Sequence, residues 1–260
     1  MATGMSKKEL YENYYKVEAA RDSFFTQDSG FVDDSLRVPM EHLFAIFSSG
    51  AVRGDTLIQY GGAIYTSLLL PVYKNYENIF IIEFLDDNVE YVNKCLDKDA
   101  KADDWNLFTK DLCNVARDSD ETEAILRRKN RRVIKAELSG DGPCAPKLST
   151  QADCIITGLC LEFVCRNHDK YRACLKNMAS LIKIGGCLVL YTVIGCTFYM
   201  IGTCKFPVIC MDEDFLKQAV CDIGLRITEF KAIDRVNQSR FSSTDFSKVV
   251  LLIACKEKDV

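Results

Sequence analysis

The chain has 260 residues, 48% hydrophobic and 27% charged, with a formal net charge of −4. Those values suit one large globular α/β domain and exclude a disordered chain, and an acidic balance without a clustered basic face predicts no nucleic-acid partner. The densest basic run, Arg127 to Arg132, follows Glu121 and Glu123 and reads as the solvated face of a helix.

In chain order, Lys7 to Asp22 carries aromatic residues at helical spacing, and Ser35 to Phe47 is a second predicted helix with Met40, Leu43, Phe44 and Phe47 on one face. A first strand is predicted at Thr56–Tyr60, then Gly61-Gly62, then a helix over Ala63 to Leu70. The second strand, Asn78 to Leu85, carries an acid at Glu83, and a helix follows over Asp86 to Leu96. Ala102 to Lys135 reads as a polar helical insertion running into a third strand, Arg132 to Leu138, and Gly140 to Gln151 as loop. Ala152 to Leu159 is strand and Tyr171 to Leu181 helix. Lys183 to Gly186 turns into a fifth strand, Cys187 to Ile194. A helix over Asp212 to Ile223 precedes two closing strands, Ile227 to Ile233 and Lys248 to Lys256. Apolar strands alternating with helices demand a mostly parallel sheet covered on both faces, and the absence of a crossover before the last strand allows an antiparallel final pair.

Thirteen cysteines run from Cys95 to Cys255 without a Cys-x-x-Cys pair, and His42 and His168 are the sole histidines, so no metal centre is predicted. Thiols within apolar runs, such as Cys154, Cys160, Cys187 and Cys255, read as reduced, buried small hydrophobes. The first ten residues are polar, and the longest apolar run, Cys187 to Ile194, is too short to span a bilayer. A cytoplasmic protein with no membrane partner is the expectation.

In a doubly wound sheet the ligand sits at the carboxyl ends of the strands. Gly61-Gly62 follows the first strand, where glycine permits a close backbone approach, and Glu83 ends the second strand roughly 20 residues on, the place of a ribose acceptor. A plain turn and a solvated carboxylate explain the same residues equally well. The missing Gly-x-Gly-x-x-Gly argues against an ordinary dinucleotide dehydrogenase.

More specific words recur along the chain. Glu12-Asn13-Tyr14-Tyr15-Lys16, Gly54-Asp55-Thr56-Leu57-Ile58, Ala152-Asp153-Cys154 with Leu159-Cys160-Leu161-Glu162, Leu181 to Gly186, and Tyr199-Met200-Ile201-Gly202 with Lys205-Phe206 stand in order over nearly the whole length. Together they resemble the nicotinamide, phenylethanolamine and indolethylamine N-methyltransferases. The resemblance implies a Rossmann-like class I methyltransferase fold, with a mostly parallel seven-stranded sheet. It implies a single domain, with residues 1–50 as a helical cap and 51–260 as the core, acting as a monomer on a small molecule. It also implies S-adenosylmethionine as cofactor. Tyr11 and Tyr15 would lie over that cofactor as a lid, Gly61 and Gly62 under its methionine end, Glu83 on the ribose, Asn88 near the adenosine, and Glu137 and Leu138 beside the adenine. Tyr199, Thr192 and Val208 would line the acceptor pocket. No side chain is assigned as a catalytic acid or base, because an amine lone pair attacks a methyl group directly.

The chain departs from that pattern in the first loop. Gln59 stands where the family has an acid, and Ala63, Ile64 and Tyr65 replace small or turn residues. A β-carbon forced to positive φ costs on the order of 1 kcal/mol. In the acceptor region Thr192 and Val208 replace an Asp and a Ser of the nicotinamide-type members, which points to a more apolar acceptor. Two readings are therefore open: an S-adenosylmethionine-dependent N-methyltransferase of a small amine or heteroaromatic nitrogen, or a non-catalytic relative whose pocket holds another small ligand or a protein partner.

Overall fold

A computed structural model of the protein describes residues 5–24, 36–66, 69–97, 128–139, 142–143, 148, 150–235 and 243–258. The strands are β1 Thr56–Tyr60, β2 Asn78–Glu83, β3 Asn130–Lys135, β4 Leu138–Ser139, β5 Gly142–Pro143, β6 Ala152–Gly158, β7 Ile182–Ile194, β8 Phe198–Ile201, β9 Cys204–Pro207, β10 Leu225–Asp234 and β11 Lys248–Lys256. Seven of them form one sheet in the order β10-β11-β7-β6-β1-β2-β3. β1 pairs parallel with β2 and β6, and parallel pairing continues to β3 and β7. β11 lies antiparallel between β7 and β10, as the missing crossover allowed. Every residue of β1 is buried, which is why it reads as an unbroken run rather than an alternation.

The helices are α1 Lys7–Tyr14, α2 Val17–Phe24, α3 Arg37–Ser48, α4 Leu70–Tyr73, α5 Asp86–Asp97, α6 Leu161–Val164, α7 His168–Ser180 and α8 Glu213–Asp222. Their starts follow cap chemistry. Ser6 and Glu9 form a reciprocal capping box at α1. Asn167 accepts from the Lys170 amide and so starts α7 three residues ahead of the predicted Tyr171, while Asp212 caps α8 through the Phe215 amide. Two of the recurring sequence words meet in space: Asp153 Oδ2 accepts from the amides of Asp55 and Thr56, each at 2.9 Å, and pairs with Lys183 at 2.9 Å. One carboxylate thereby sets the entry of β1 against β6.

Several expectations are corrected. The first helix breaks at Tyr15, whose extended backbone separates α1 from α2. The stretch after Gly62 is not a continuous helix: Ala63–Tyr65 makes a single 3₁₀ turn and α4 begins at Leu70. The fifth strand begins at Ile182, carrying Gly185-Gly186 inside an irregular register. β8 and β9 form an unforeseen antiparallel hairpin. Residues 102–127 of the predicted insertion and most of the 140–151 loop lie outside the described residues. Among the described residues, no helix is long and apolar enough to cross a membrane.

The paired helices α1 and α2 are fastened over the carboxyl edge of the sheet. Lys7 Nζ donates to the carbonyls of Phe163 at 2.9 Å and Cys165 at 2.7 Å, and burial pulls its ammonium down to about 8. A methionine at position 7 keeps the aliphatic stem and loses both bonds. Lys7→Met is expected to speed amide hydrogen exchange across α1 at least tenfold while leaving β1 and β6 protected, because the loss is local. Uniform exchange in both variants would refute the anchor.

Candidate functional site

At the switch in strand order, between β1 and β6, the chain leaves β1 through Gly61 and Gly62, with φ of +68° and +76°. A Cβ on Gly61 would lie 2.2 Å from Cys160 Sγ, and one on Gly62 would lie 2.8 Å from the Gly158 carbonyl oxygen. Both positions therefore need glycine for backbone and for space. Ala63 follows with ordinary φ: among described non-glycine residues, Leu159 alone is left-handed, at 45°. The feared strain at Ala63 does not arise, because the two left-handed positions fall on the two glycines. Gln59 is buried behind this turn rather than on the side of the cleft.

Beside the turn stands Glu83, the last residue of β2, and one turn into α5 stands Asn88. Asn88 Nδ2 donates to Glu83 Oε2 at 3.0 Å. Glu83 Oε1 and Asn88 Oδ1 are buried without a hydrogen-bond partner, and both residues line the cleft. Burial pushes the Glu83 carboxyl up to about 7, against the pull of Asn88 and of the Phe84 and Ala63 amides. Orphaned buried acceptors are costly, so two of them side by side mark a place for donors.

The inner cleft, a cavity of about 70 Å³, is otherwise aromatic and apolar. Tyr11 and Tyr15 stack at 5.5 Å on the side of α1. Tyr199, on β8, packs its ring 4.7 Å from Phe163, 5.0 Å from Phe206 and 5.9 Å from Phe24, and its hydroxyl meets that of Tyr11 at 2.7 Å. The β8–β9 hairpin and the helices α1 and α2 thus close on one another through a single buried aromatic cluster. Tyr11, Tyr15, Phe84 and Leu85 also wall an outer groove of about 680 Å³ bordered by Lys8, Lys16, Asp86, Asp87, Lys135 and Glu137. There Lys16 pairs with Asp87 and Lys135 with Asp86, each at 2.6 Å. Glu137 is exposed at this mouth, and Leu138 opens β4 next to it.

Two expected acceptor residues stand elsewhere. Thr192 is fully buried within β7 and does not border the cleft, and half-buried Val208 is held by its amide on the Thr197 carbonyl, away from it. Thr192 instead donates to Glu162 Oε1 at 2.7 Å. Glu162 is a buried carboxyl that the sequence reading passed over, pushed up to about 7 by burial and restrained by the Thr192 hydroxyl and nearby amides. Its signal was a lone acid inside the apolar word Leu159 to Val164. Thr192→Val removes the hydroxyl and leaves the carboxyl short of a donor, so urea denaturation should show a loss of about 1–3 kcal/mol. A neutral effect would mean that the backbone amides alone satisfy Glu162.

The NNMT/PNMT/TEMT family model matches residues 4–257 of this chain. Nicotinamide N-methyltransferase of Sus scrofa is 28% identical over 250 residues, covering 94% of this chain and 95% of that protein. Indolethylamine N-methyltransferase of Oryctolagus cuniculus is 29% identical over 263 residues, covering 99% of each. In fold, the chain is similar to magnesium protoporphyrin IX methyltransferase of Synechocystis PCC 6803 solved with bound SAH, at a TM-score of 0.59 and 15% identity, with 96% of this chain and 99% of that one covered. That structural likeness gives the Rossmann-like class I methyltransferase fold. The match of nearly every residue to one family model goes further: the chain belongs to the NNMT/PNMT/TEMT family.

Proposed function

We propose that this protein is an S-adenosylmethionine-dependent N-methyltransferase acting on a small amine or a heteroaromatic nitrogen. The observation that carries the reading is the pair of orphaned oxygens, Glu83 Oε1 and Asn88 Oδ1, beside a turn that only glycine can make. Vicinal ribose hydroxyls supply the donors those oxygens lack, and the glycine turn admits the close approach of an amino-acid tail. The residues present therefore fit the cofactor. When bound, S-adenosylmethionine supplies a methyl group on a positively charged sulfur.

The chain's own residues orient and enclose. Glu83 and Asn88 fix the ribose, Gly61 and Gly62 receive the methionine end, and Tyr11 and Tyr15 cover it. Glu137, at the mouth of the outer groove, and Leu138 are assigned to the adenine by the resemblance. The ring faces of Phe24, Phe163 and Tyr199, with Val164, Val193 and Phe246, line the far end of the cleft. They exclude water and favour a flat apolar acceptor, and aromatic faces also suit a nitrogen that gains positive charge. Tyr199 serves this end of the cleft; Thr192 and Val208 do not border it. Catalysis is then mainly alignment of the nitrogen lone pair with the methyl carbon.

The non-catalytic reading drew on Gln59, on strain at Ala63 and on altered Thr192 and Val208. The strain is absent, and Gln59, Thr192 and Val208 do not line the inner cleft. Transfer of a labelled methyl group to nicotinamide, tryptamine and quinoline tests the proposal, alongside calorimetry with S-adenosylhomocysteine. Labelled N-methylquinolinium, with S-adenosylhomocysteine released, is the expected product. No heat at millimolar S-adenosylhomocysteine would refute the reading.

A further inference from the structure

Gln59 replaces an acid of the family, and its surroundings explain what the replacement does. The side chain is 1% exposed. Its Nε2 lies 3.0 Å from the Gly61 carbonyl oxygen, 3.3 Å from the Gly62 carbonyl oxygen and 3.1 Å from Thr66 Oγ1. Its Oε1 accepts from the hydroxyl of Tyr73, which is fully buried. The two turn carbonyls can only accept, so they fix which end of the amide is nitrogen and leave its oxygen for the phenol. The nitrogen is thereby committed to the two turn carbonyls.

We infer that Gln59 is a positioning residue for the cofactor turn, cross-linking the Gly61 and Gly62 carbonyls from behind through an amide whose oxygen Tyr73 holds. The inference rests on the proposed function, since it assigns the turn to the methionine end of S-adenosylmethionine. A carboxylate cannot take this place. Both of its oxygens are acceptors, and they would face two carbonyl oxygens in a buried setting that also disfavours charge. Aspartate is in addition one methylene too short to reach the same partners. The amide is thus a built replacement, matched to Tyr73 and Thr66, rather than a lost cofactor contact.

The test uses the full chain and two probes, S-adenosylhomocysteine and 5′-methylthioadenosine, which lacks the amino-acid tail. Calorimetry on the parent, Gln59→Glu, Gln59→Asp and Tyr73→Phe is paired with thermal unfolding. Gln59→Glu and Gln59→Asp are expected to lose tenfold or more in affinity for S-adenosylhomocysteine, with 5′-methylthioadenosine changed less than threefold. Tyr73→Phe leaves the buried amide oxygen without its donor, loosens the side chain, and should show the same selective loss at three- to tenfold, which keeps the assignment testable if the acidic variants fail to fold. Equal or tighter S-adenosylhomocysteine binding by either acidic variant would overturn it. So would parallel weakening of both probes in Tyr73→Phe, the mark of a purely structural role. A parent chain that binds neither probe overturns the proposed function and this assignment with it; a binding parent with unaffected variants overturns the assignment alone.

Discussion

Glu83→Gln is expected to weaken S-adenosylhomocysteine by on the order of 100-fold, the worth of converting a charge-assisted hydrogen bond to the ribose into a poorer one and turning an amide N–H toward a hydroxyl. The parent should show a pH dependence with the same origin. Glu83 sits near 7 in the folded chain, above its ordinary value, because burial disfavours the carboxylate. Ligand donors need that carboxylate, so affinity rises as pH increases from about 6 to 8. Stability without ligand runs the other way. A folded-state pKa above the unfolded one means that the folded chain holds more protons between the two values, so stability is lost as pH rises through that window. Glu162, also raised to about 7, adds to the same trend. The unliganded protein should therefore melt higher near pH 5 than near pH 8, and the stabilisation by ligand should grow with pH. Glu83→Gln flattens the binding profile and part of the melting profile. Binding that is independent of pH in the parent would count against a carboxylate on the ribose.

Gly61→Ala should be the most destabilising single methyl addition at the site. The added carbon meets Cys160 Sγ at 2.2 Å, on a backbone at φ +68°. Left-handed backbone costs an alanine about 1–2 kcal/mol, and overpacking costs about 1–3 more. For a chain of this size the melting temperature should fall by roughly 5–15 °C. Adding Cys160→Ala removes the sulfur while leaving its Cβ, 3.1 Å away, so it recovers much of the overpacking share and none of the backbone share. Full additivity of the two substitutions would mean that the contact is not made. The same pair should lose cofactor affinity even after stability is partly restored, because the turn itself has moved.

The sheet was legible because its central strands are rich in apolar residues without the strict alternation of a half-exposed strand, as a parallel strand buried on both faces should be. Glu83 at a strand end and the glycine turn were legible for a related reason: strand ends are fixed once strands are found, and chemistry-bearing residues there stand out. What failed to show was conformation decided by distant partners. Nothing in the local sequence around Tyr15 breaks a helix, since the break accompanies the docking of two helices on the aromatic cluster. Ala63 looked misplaced because spacing alone cannot say which residues of a loop turn left-handed. Thr192 was assigned to the acceptor pocket by resemblance, yet its hydroxyl is consumed by Glu162, thirty positions away in sequence. Gln59 looked like a deficit until Tyr73, Thr66 and two carbonyls stood around it.

The antiparallel strand β11 carries a practical consequence. Its residue Lys248 lies level with Ile194 at the end of β7, and Cys255 lies level with Cys187, seven residues back toward that strand's start. The chain therefore leaves its last strand at the edge of the sheet opposite the glycine turn. The helix α1, by contrast, is tied by Lys7 to the Phe163 and Cys165 carbonyls and lines the cleft with Tyr11. A surface tether or reporter attached after β11 stands away from ligand traffic, whereas one joined ahead of Ser6 hangs on that helix. Kinetic comparisons between differently tagged preparations would then report the handle as much as the protein.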